Sequence, residues 1–252
     1  MFYQIISSQV TQLVQRPHLV VFTGAGISAE SDMPTYRGDS GMWEYPEKVK
    51  LMSVGGYYEN PEAVLEILNN LRLKCSQAHP NNAHRILADL ESMFHVTVIT
   101  QNVDDLHERA GSSHVIHIHG KLSEATSSNN RCDTECIVEY PMEIPIKLGD
   151  KAKDGSQLRP NVVLFGEYLS TFSKAINIMR TADIFLLVGT SLKVFPASRL
   201  TNYVPRGIPC YCIDLDESIM EELEGFTLIR KTASEGVNQF LKILKMNYHY
   251  EK

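Results

Sequence analysis

The stretch Leu19-Val20-Val21-Phe22-Thr23-Gly24-Ala25-Gly26-Ile27-Ser28-Ala29-Glu30-Ser31 constrains the fold more than any other part of the 252-residue chain. An apolar run of β-branched and aromatic residues that ends on glycines reads as a buried strand of a parallel sheet running into a turn. Gly24, Gly26 and Ala29 have the G-x-G-x-x-A spacing. In that motif the first glycine permits the turn, the second admits a pyrophosphate, and the small third residue lets helix approach strand. A glycine-rich strand-to-helix turn without a ligand has the same spacing. Pro34 sets this one apart, because proline removes a donor and clashes with the preceding turn, so the helix ends within about one turn. The sequence continues as Thr35-Tyr36-Arg37, a polar loop with an aromatic and a cation suited to lie over a ligand.

Beyond this stretch, helical spacing of apolar residues marks 3–16, 61–75, 82–93, 171–181, 197–203 and 233–245, with Pro17 closing the first and Pro61 opening the second. Strand patterns mark 96–100, 115–119, 161–167, 184–188 and 210–214. The alternation predicts an α/β fold with a doubly wound, Rossmann-like parallel sheet and a small inserted subdomain. The expected division is one catalytic core over 1–252. A large domain takes about 1–40, 81–120 and 160–252, and the small subdomain takes 41–80 and 121–159, where Ser, Asn, Asp and Lys dominate from 121 onward. Trp43 is expected to pack and close the loop after Arg37.

A net charge of −6 with no basic block argues against direct nucleic-acid binding and is compatible with recruiting lysine-bearing segments. The first residues lack a positive leader, and no apolar run reaches bilayer length, so a cytoplasmic protein with no membrane contact is expected. The five cysteines are scattered and odd in number, which reads as reduced thiols. The sequence sets no oligomeric state, and a monomer is compatible with it.

In an open parallel sheet, ligands bind outside the carboxyl ends of the strands. Polar tips follow two predicted strands there: Gln101-Asn102-Val103-Asp104 and His117-Ile118-His119-Gly120. A histidine has its ordinary pKa near working pH and can accept a proton without strong tuning. His119 reads equally as a satisfied strand-end histidine or, with His117, as half of a metal site. Asn102 and Asp104 also read as caps for a helix opening at Leu106.

Five motifs in order resemble the sirtuin family of NAD-dependent protein lysine deacylases. They are Gly24 to Ser31 with Pro34-Thr35-Tyr36-Arg37, Thr100 to His107, His119-Gly120-Lys121-Leu122, Arg159 to Val163 with Phe165-Gly166-Glu167, and Gly189-Thr190-Ser191-Leu192 with Pro196-Ala197. The resemblance spans essentially the whole chain. It implies that NAD loses nicotinamide as the acyl oxygen of a modified lysine attacks the ribose, giving an ADP-ribosyl imidate. A histidine then acts as general base toward the ribose hydroxyls, the acyl group moves to the ribose, and the lysine departs free.

By resemblance, His119 is that base, with Asn102 and Gln101 also catalytic, and NAD is the cofactor. Asn102 and Asp104 match positions that bind nicotinamide and its ribose, and Gln101 matches a ribose contact. Arg37 and the backbone amides of Ala25 and Gly26 match phosphate contacts. Tyr36 stands where phenylalanine is usual. Thr190, Ser191 and Asp214 match adenosine-ribose contacts, with Asp214 replacing the commoner asparagine, and Ala233 falls where adenine packs. Gly24, Glu30, Thr35, Val103 and Gly189 complete the implied cofactor set. The implied partner is an acyl-lysine protein or peptide, bound along the strand edge of Val163, Leu164, Phe165, Gly166 and Glu167, with Val194 opposite. Val163 and Phe165 are expected to line the acyl-lysine tunnel.

Two departures matter. Many family members carry two C-x-x-C zinc pairs, whereas this chain has only Cys132 and Cys136 in that region, so no metal is expected. The loop over 35–43 and the Leu158-Arg159-Pro160 context are similar to the branch that removes succinyl and malonyl groups with a tyrosine and an arginine three residues apart. The matching positions here are Leu68 and Leu71. Arg72 lies about 100° further around the helix, which leaves neutral acyl groups, acetyl or longer, as the expected substrates. The competing functions are an NAD glycohydrolase or mono-ADP-ribosyltransferase, a non-catalytic NAD or ADP-ribose sensor, and a hydride-transferring dehydrogenase. The last is disfavoured by the truncated helix and by the lack of an acid about twenty residues past the glycines.

Overall fold

The computed structural model describes residues 16–36 and 45–248, so most of the expected helix over 3–16, together with Arg37 and Trp43, lies outside the described residues. Among the described residues nine strands form two sheets: β1 (His18–Thr23), β2 (His95–Thr100), β3 (Val115–His117), β4 (Gly120–Ser127), β5 (Val138–Glu139), β6 (Leu158–Val162), β7 (Ile184–Val188), β8 (Cys210–Ile213) and β9 (Thr227–Ile229). The larger sheet has the order β3-β2-β1-β7-β8-β9 and is parallel throughout. The smaller, β5-β4-β6, is antiparallel.

The β1 run is apolar on both faces because both faces are covered. Leu19 and Val21 join a core with Ala83, Ile86 and Leu87 of α4 (Asn82–Asp89) and Val237, Phe240 and Leu244 of α7 (Ala233–Asn247). Val20 and Phe22 join a second core with Ala175 and Met179 of α6 (Phe172–Met179). This is the expected doubly wound arrangement.

The smaller sheet lies with three earlier helices, α1 (Pro46–Leu51), α2 (Val54–Glu59) and α3 (Pro61–Gln77). The apolar stripe of α3, Val64, Leu68, Leu71 and Cys75, packs with Leu122 of β4 and with Val162 and Leu164. Here the structure departs from the expected rhythm. The parallel sheet does not resume at 161, because Leu158–Val162 pairs antiparallel with β4 at the edge of the smaller sheet. An edge position accommodates Pro160, which has no N–H for a ladder. The expected helix over 197–203 is a 3₁₀ helix, Ala197–Tyr203.

The segment after β1 is also a 3₁₀ helix, Ala25–Ser31. It stops because Asp32 adopts a left-handed conformation at φ 62° and its N–H donates back to the Ala29 carbonyl (3.2 Å). Pro34 then offers no donor for another turn. With three residues per turn, Ile27, Ser28 and Ser31 face inward and Ala29 is exposed. Ala29 is therefore not the residue that brings helix to strand.

Candidate active site

Strand register determines what meets at the carboxyl edge. Thr23 pairs with Thr100 of β2 and Val188 of β7, and Val188 pairs with Ile213 of β8. The next residue of each chain, Gly24, Gln101, Gly189 and Asp214, therefore emerges at one level. Strand order reverses about β1, the crevice position at which open α/β sheets bind ligands. A cavity of about 510 Å³ opens there and continues between the two sheets. Its cofactor-side lining includes Gly24, Ala25, Gly26, Thr35, Tyr36, Gln101, Asn102, Val103, His119, Gly189, Thr190, Ser191 and Asp214, and its far wall includes Val163, Leu164, Phe165, Gly166, Glu167 and Val194.

The glycines serve a close backbone crossing. The Gly24 N–H donates to the Val188 carbonyl (3.0 Å) and the Gly26 N–H to the Gly189 carbonyl (2.8 Å). A Cβ on Gly26 would lie 2.6 Å from the Gly189 Cα. The Gly26 amide is thus engaged by the protein and is not available to a phosphate, contrary to expectation.

His117 and His119 bond two consecutive carbonyls. The His117 Nδ1 lies 3.0 Å from the Asn102 carbonyl, and the His119 Nδ1 lies 2.9 Å from the Gln101 carbonyl. A carbonyl only accepts, so each Nδ1 carries the proton and the His119 Nε2 carries the lone pair. The His117 Nε2 is taken by Glu108 (2.8 Å), so it is a positioning group for Asn102 and not a metal ligand. Burial pulls the His119 pKa below its ordinary 6.5; the Gln101 carbonyl opposes this and the Arg131 charge adds to it. The ring is accordingly neutral near pH 7.

Asn102 is fixed from behind. Its Nδ2 donates to Ser28 Oγ (3.0 Å), and Ser28 Oγ donates to Asp104 Oδ2 (3.0 Å). The other Asp104 oxygen accepts from the N–H of Leu106 (3.2 Å), the first residue of α5 (Leu106–Arg109). Asp104 is buried, does not line the cavity, and has its carboxyl pushed up by burial. It acts on Asn102 through Ser28, a residue the sequence reading left without a role although it sits within the glycine motif. The Gln101 Nε2 donates to Thr190 Oγ1 (2.7 Å), joining the tips of β2 and β7.

A family model described as the Sir2 family matches residues 24–196. The chain belongs to the Sir2, or sirtuin, family. A relative named NAD-dependent protein deacylase from Bacteroides thetaiotaomicron is 44% identical over 228 residues, covering 90% of this chain and 97% of its own. A Sir2 homologue variant in complex with ADP-ribose superposes with a TM-score of 0.81 at 35% identity, over 94% of this chain and 95% of that one. A Sir2 bound to a p53 peptide and NAD+ superposes with a TM-score of 0.73 at 28% identity, over 92% and 95%.

Within this Sir2 fold some assigned residues stand elsewhere. Glu30 accepts from the Ser234 N–H (2.8 Å) and from Thr232 Oγ1 (3.3 Å), so it caps α7. Ala233, the first residue of α7, is buried in the core with Ile213 and Val237 and does not line the cavity. Arg37 lies outside the described residues. At Leu164 and Phe165 the segment 163–167 is not a free strand edge. The Phe165 N–H donates to the Met52 carbonyl and its carbonyl accepts from the Val54 N–H (both 3.0 Å), while Leu164 is bonded to Glu167 through both its N–H and its carbonyl. The Glu167 carboxylate is in turn held by Arg159 and Arg131.

The apolar end of the cavity is lined by Met52, Ile67, Leu68 and Leu71. Arg72 is fully buried away from it, donating to the carbonyls of Leu122 (3.1 Å), Ile144 (2.8 Å), Tyr140 (3.2 Å) and Pro141 (2.7 Å). Cys132 is exposed, and the buried Cys136 thiol lies 3.7 Å from an Asp133 oxygen. These two thiols are half of a tetrahedral donor set. Among the described residues no group of three metal-ligating side chains gathers around them, so the donors present do not fit a structural zinc.

Proposed function

We infer that this sirtuin is an NAD-dependent protein lysine deacylase. The observation that carries the reading is His119, neutral and with its lone pair on Nε2, in one cavity with the glycine crossing and the Asn102 amide. NAD fits the donors present. The Ala25 backbone lines the cavity beside the glycine crossing, Thr190, Ser191 and Asp214 offer hydroxyls and a carboxylate for ribose, and Asn102 offers an amide for the uncharged carboxamide of nicotinamide. When bound, NAD supplies the electrophilic ribose carbon whose bond to nicotinamide breaks. Asn102, with Nδ2 tied to Ser28, presents Oδ1 as an acceptor. Tyr36 covers the reacting end. The His119 Nε2 would accept the proton of a ribose hydroxyl, and the Gln101 carbonyl keeps the ring in the tautomer that leaves Nε2 free.

The acyl group is neutral. Leu68 and Leu71 face it, the nearby guanidinium is withdrawn into four carbonyl contacts, and among the described residues a carboxylate against that wall meets no cation. Turnover of acetyl, succinyl and myristoyl peptides with NAD, with product mass measured, tests both statements. O-acyl-ADP-ribose that forms only when a peptide is present, with succinyl the poorest substrate, is expected. Nicotinamide release without peptide would overturn the deacylase reading, and succinyl as the best substrate would overturn the acyl preference. Leu71→Arg is expected to raise the succinyl-to-acetyl ratio on the order of tenfold, about 1.4 kcal/mol.

A further inference from the structure

Two segments that line the cavity, one through Glu167 and Leu169 and one through Val194 and Phe195, each carry a large aromatic that is exposed to solvent. Tyr168 is 73% exposed and Phe195 is 76% exposed. Exposed aromatics are ordinary one at a time, but a pair beside a functional cavity calls for a physical account. Both backbones are anchored. The Tyr168 carbonyl accepts from Arg131 Nη2 (2.8 Å), and the following Leu169 is buried. The Val194 carbonyl, just before Phe195, accepts from the Ser198 N–H (2.9 Å), and Ala197 beyond it is fully buried. The rings are thus presented from fixed positions, which lowers the ordering cost of a contact.

Charge at the mouth points the same way. Glu167, between the cavity and Tyr168, is neutralised by Arg159 and Arg131 and so offers no free carboxylate to a basic neighbour. Asp216, Glu221 and Glu222 line the same cavity as Phe195, with Lys193 as the cation among them. An acidic side chain next to the modified lysine meets net negative charge there. An apolar one can meet the Phe195 ring, which lines the cavity, or the Tyr168 ring, which stands between the lining residues Glu167 and Leu169.

Resting on the deacylase reading, we propose that Tyr168 and Phe195 are specificity residues that select substrates carrying an apolar or aromatic side chain beside the acyl-lysine and reject those carrying an acidic one. The test is steady-state kinetics with NAD on acetyl-lysine pentapeptides whose flanking residues are Ala, Phe or Asp. The enzymes compared are the wild type, the Tyr168→Ala/Phe195→Ala double variant and Phe195→Leu. For the wild type, KM for the Phe-flanked peptide is expected to be about fivefold below that of the Ala-flanked peptide, the size of an aromatic contact. The Asp-flanked peptide has the highest KM, and kcat changes little across the three. The double variant loses the Phe-over-Ala advantage, and Phe195→Leu keeps part of it because an apolar surface remains. Equal KM for Phe- and Ala-flanked peptides in the wild type, or an undiminished advantage in the double variant, overturns the proposal. Failure of the wild type to turn over any acetylated or myristoylated peptide overturns the deacylase reading instead, so the two failures are distinct.

Discussion

His119 shows how one residue is tuned by what lies behind it. As a general base it works only when neutral. Its folded pKa lies below 6.5 because burial and the Arg131 charge outweigh the Gln101 carbonyl, so the neutral form persists as pH falls through 6.5 and is lost only below it. The acid limb of kcat/KM is therefore expected to have its midpoint under pH 6.5, and a midpoint above 6.5 would contradict the tautomer and burial argument. His119→Ala is expected to lower kcat on the order of 10²–10⁴-fold, the usual worth of a positioned base, while ADP-ribose binding measured by calorimetry persists. At this scale the sequence was informative wherever a residue directly follows a strand end, since pairing of neighbouring strands fixes where Gln101, Gly189 and Asp214 emerge. It was silent on what stands one layer back. Nothing in the order of residues tells that Asp104 reaches Asn102 only through Ser28, or that Glu30 faces the end of a helix two hundred residues later.

At the scale of elements, the glycine turn was legible and its reason was not. Its spacing is read as room for a pyrophosphate, yet Gly26 faces Gly189, where a Cβ would meet backbone at 2.6 Å. Gly26→Ala must push two sheet ends apart. Overpacking of this kind costs about 1–3 kcal/mol, to be read from urea midpoints, and ADP-ribose affinity falls with it. Glu30→Gln separates capping from cofactor binding: a lower melting temperature with unchanged ADP-ribose affinity is expected, and weakened binding at unchanged stability would restore the cofactor role. The strand β4 escaped sequence reading because its buried positions include Thr126 and Ser127, polar residues satisfied by neighbours, so the apolar alternation that announces a strand is absent. The strand expected over 161–167 overlaps β6 only at Asn161 and Val162 and belongs to the smaller sheet, since a short apolar run does not say which partner it pairs with.

At the scale of the whole molecule, a buried pair of histidines that join α4 to the segment after β2 makes the fold sensitive to acid. His84 and His107 meet edge to face with ring centres 4.8 Å apart, and both are essentially inaccessible. Burial lowers the His84 pKa from 6.5 to about 4, with Arg109 and Arg85 contributing, and burial holds His107 well below 6.5. Unfolding therefore takes up protons below pH 6.5. The stability contributed by neutral His84 is intact above 6.5 and is lost progressively as pH falls toward 4, by about 3 kcal/mol. Denaturant midpoints measured at pH 7 and pH 4.5 check this, and a midpoint that does not fall on acidification would contradict it.

The larger sheet ends at His117 and the smaller begins at Gly120, while the chain leaves the smaller sheet at Val162, and the Val163 N–H donates to the His119 carbonyl (2.9 Å). The base is thus stitched to both crossings between the sheets. Were one sheet to rock against the other, displacement would be least at this seam and would grow toward the leucine wall and the aromatic rim, leaving the His119 ring nearest to its place beside the glycine crossing.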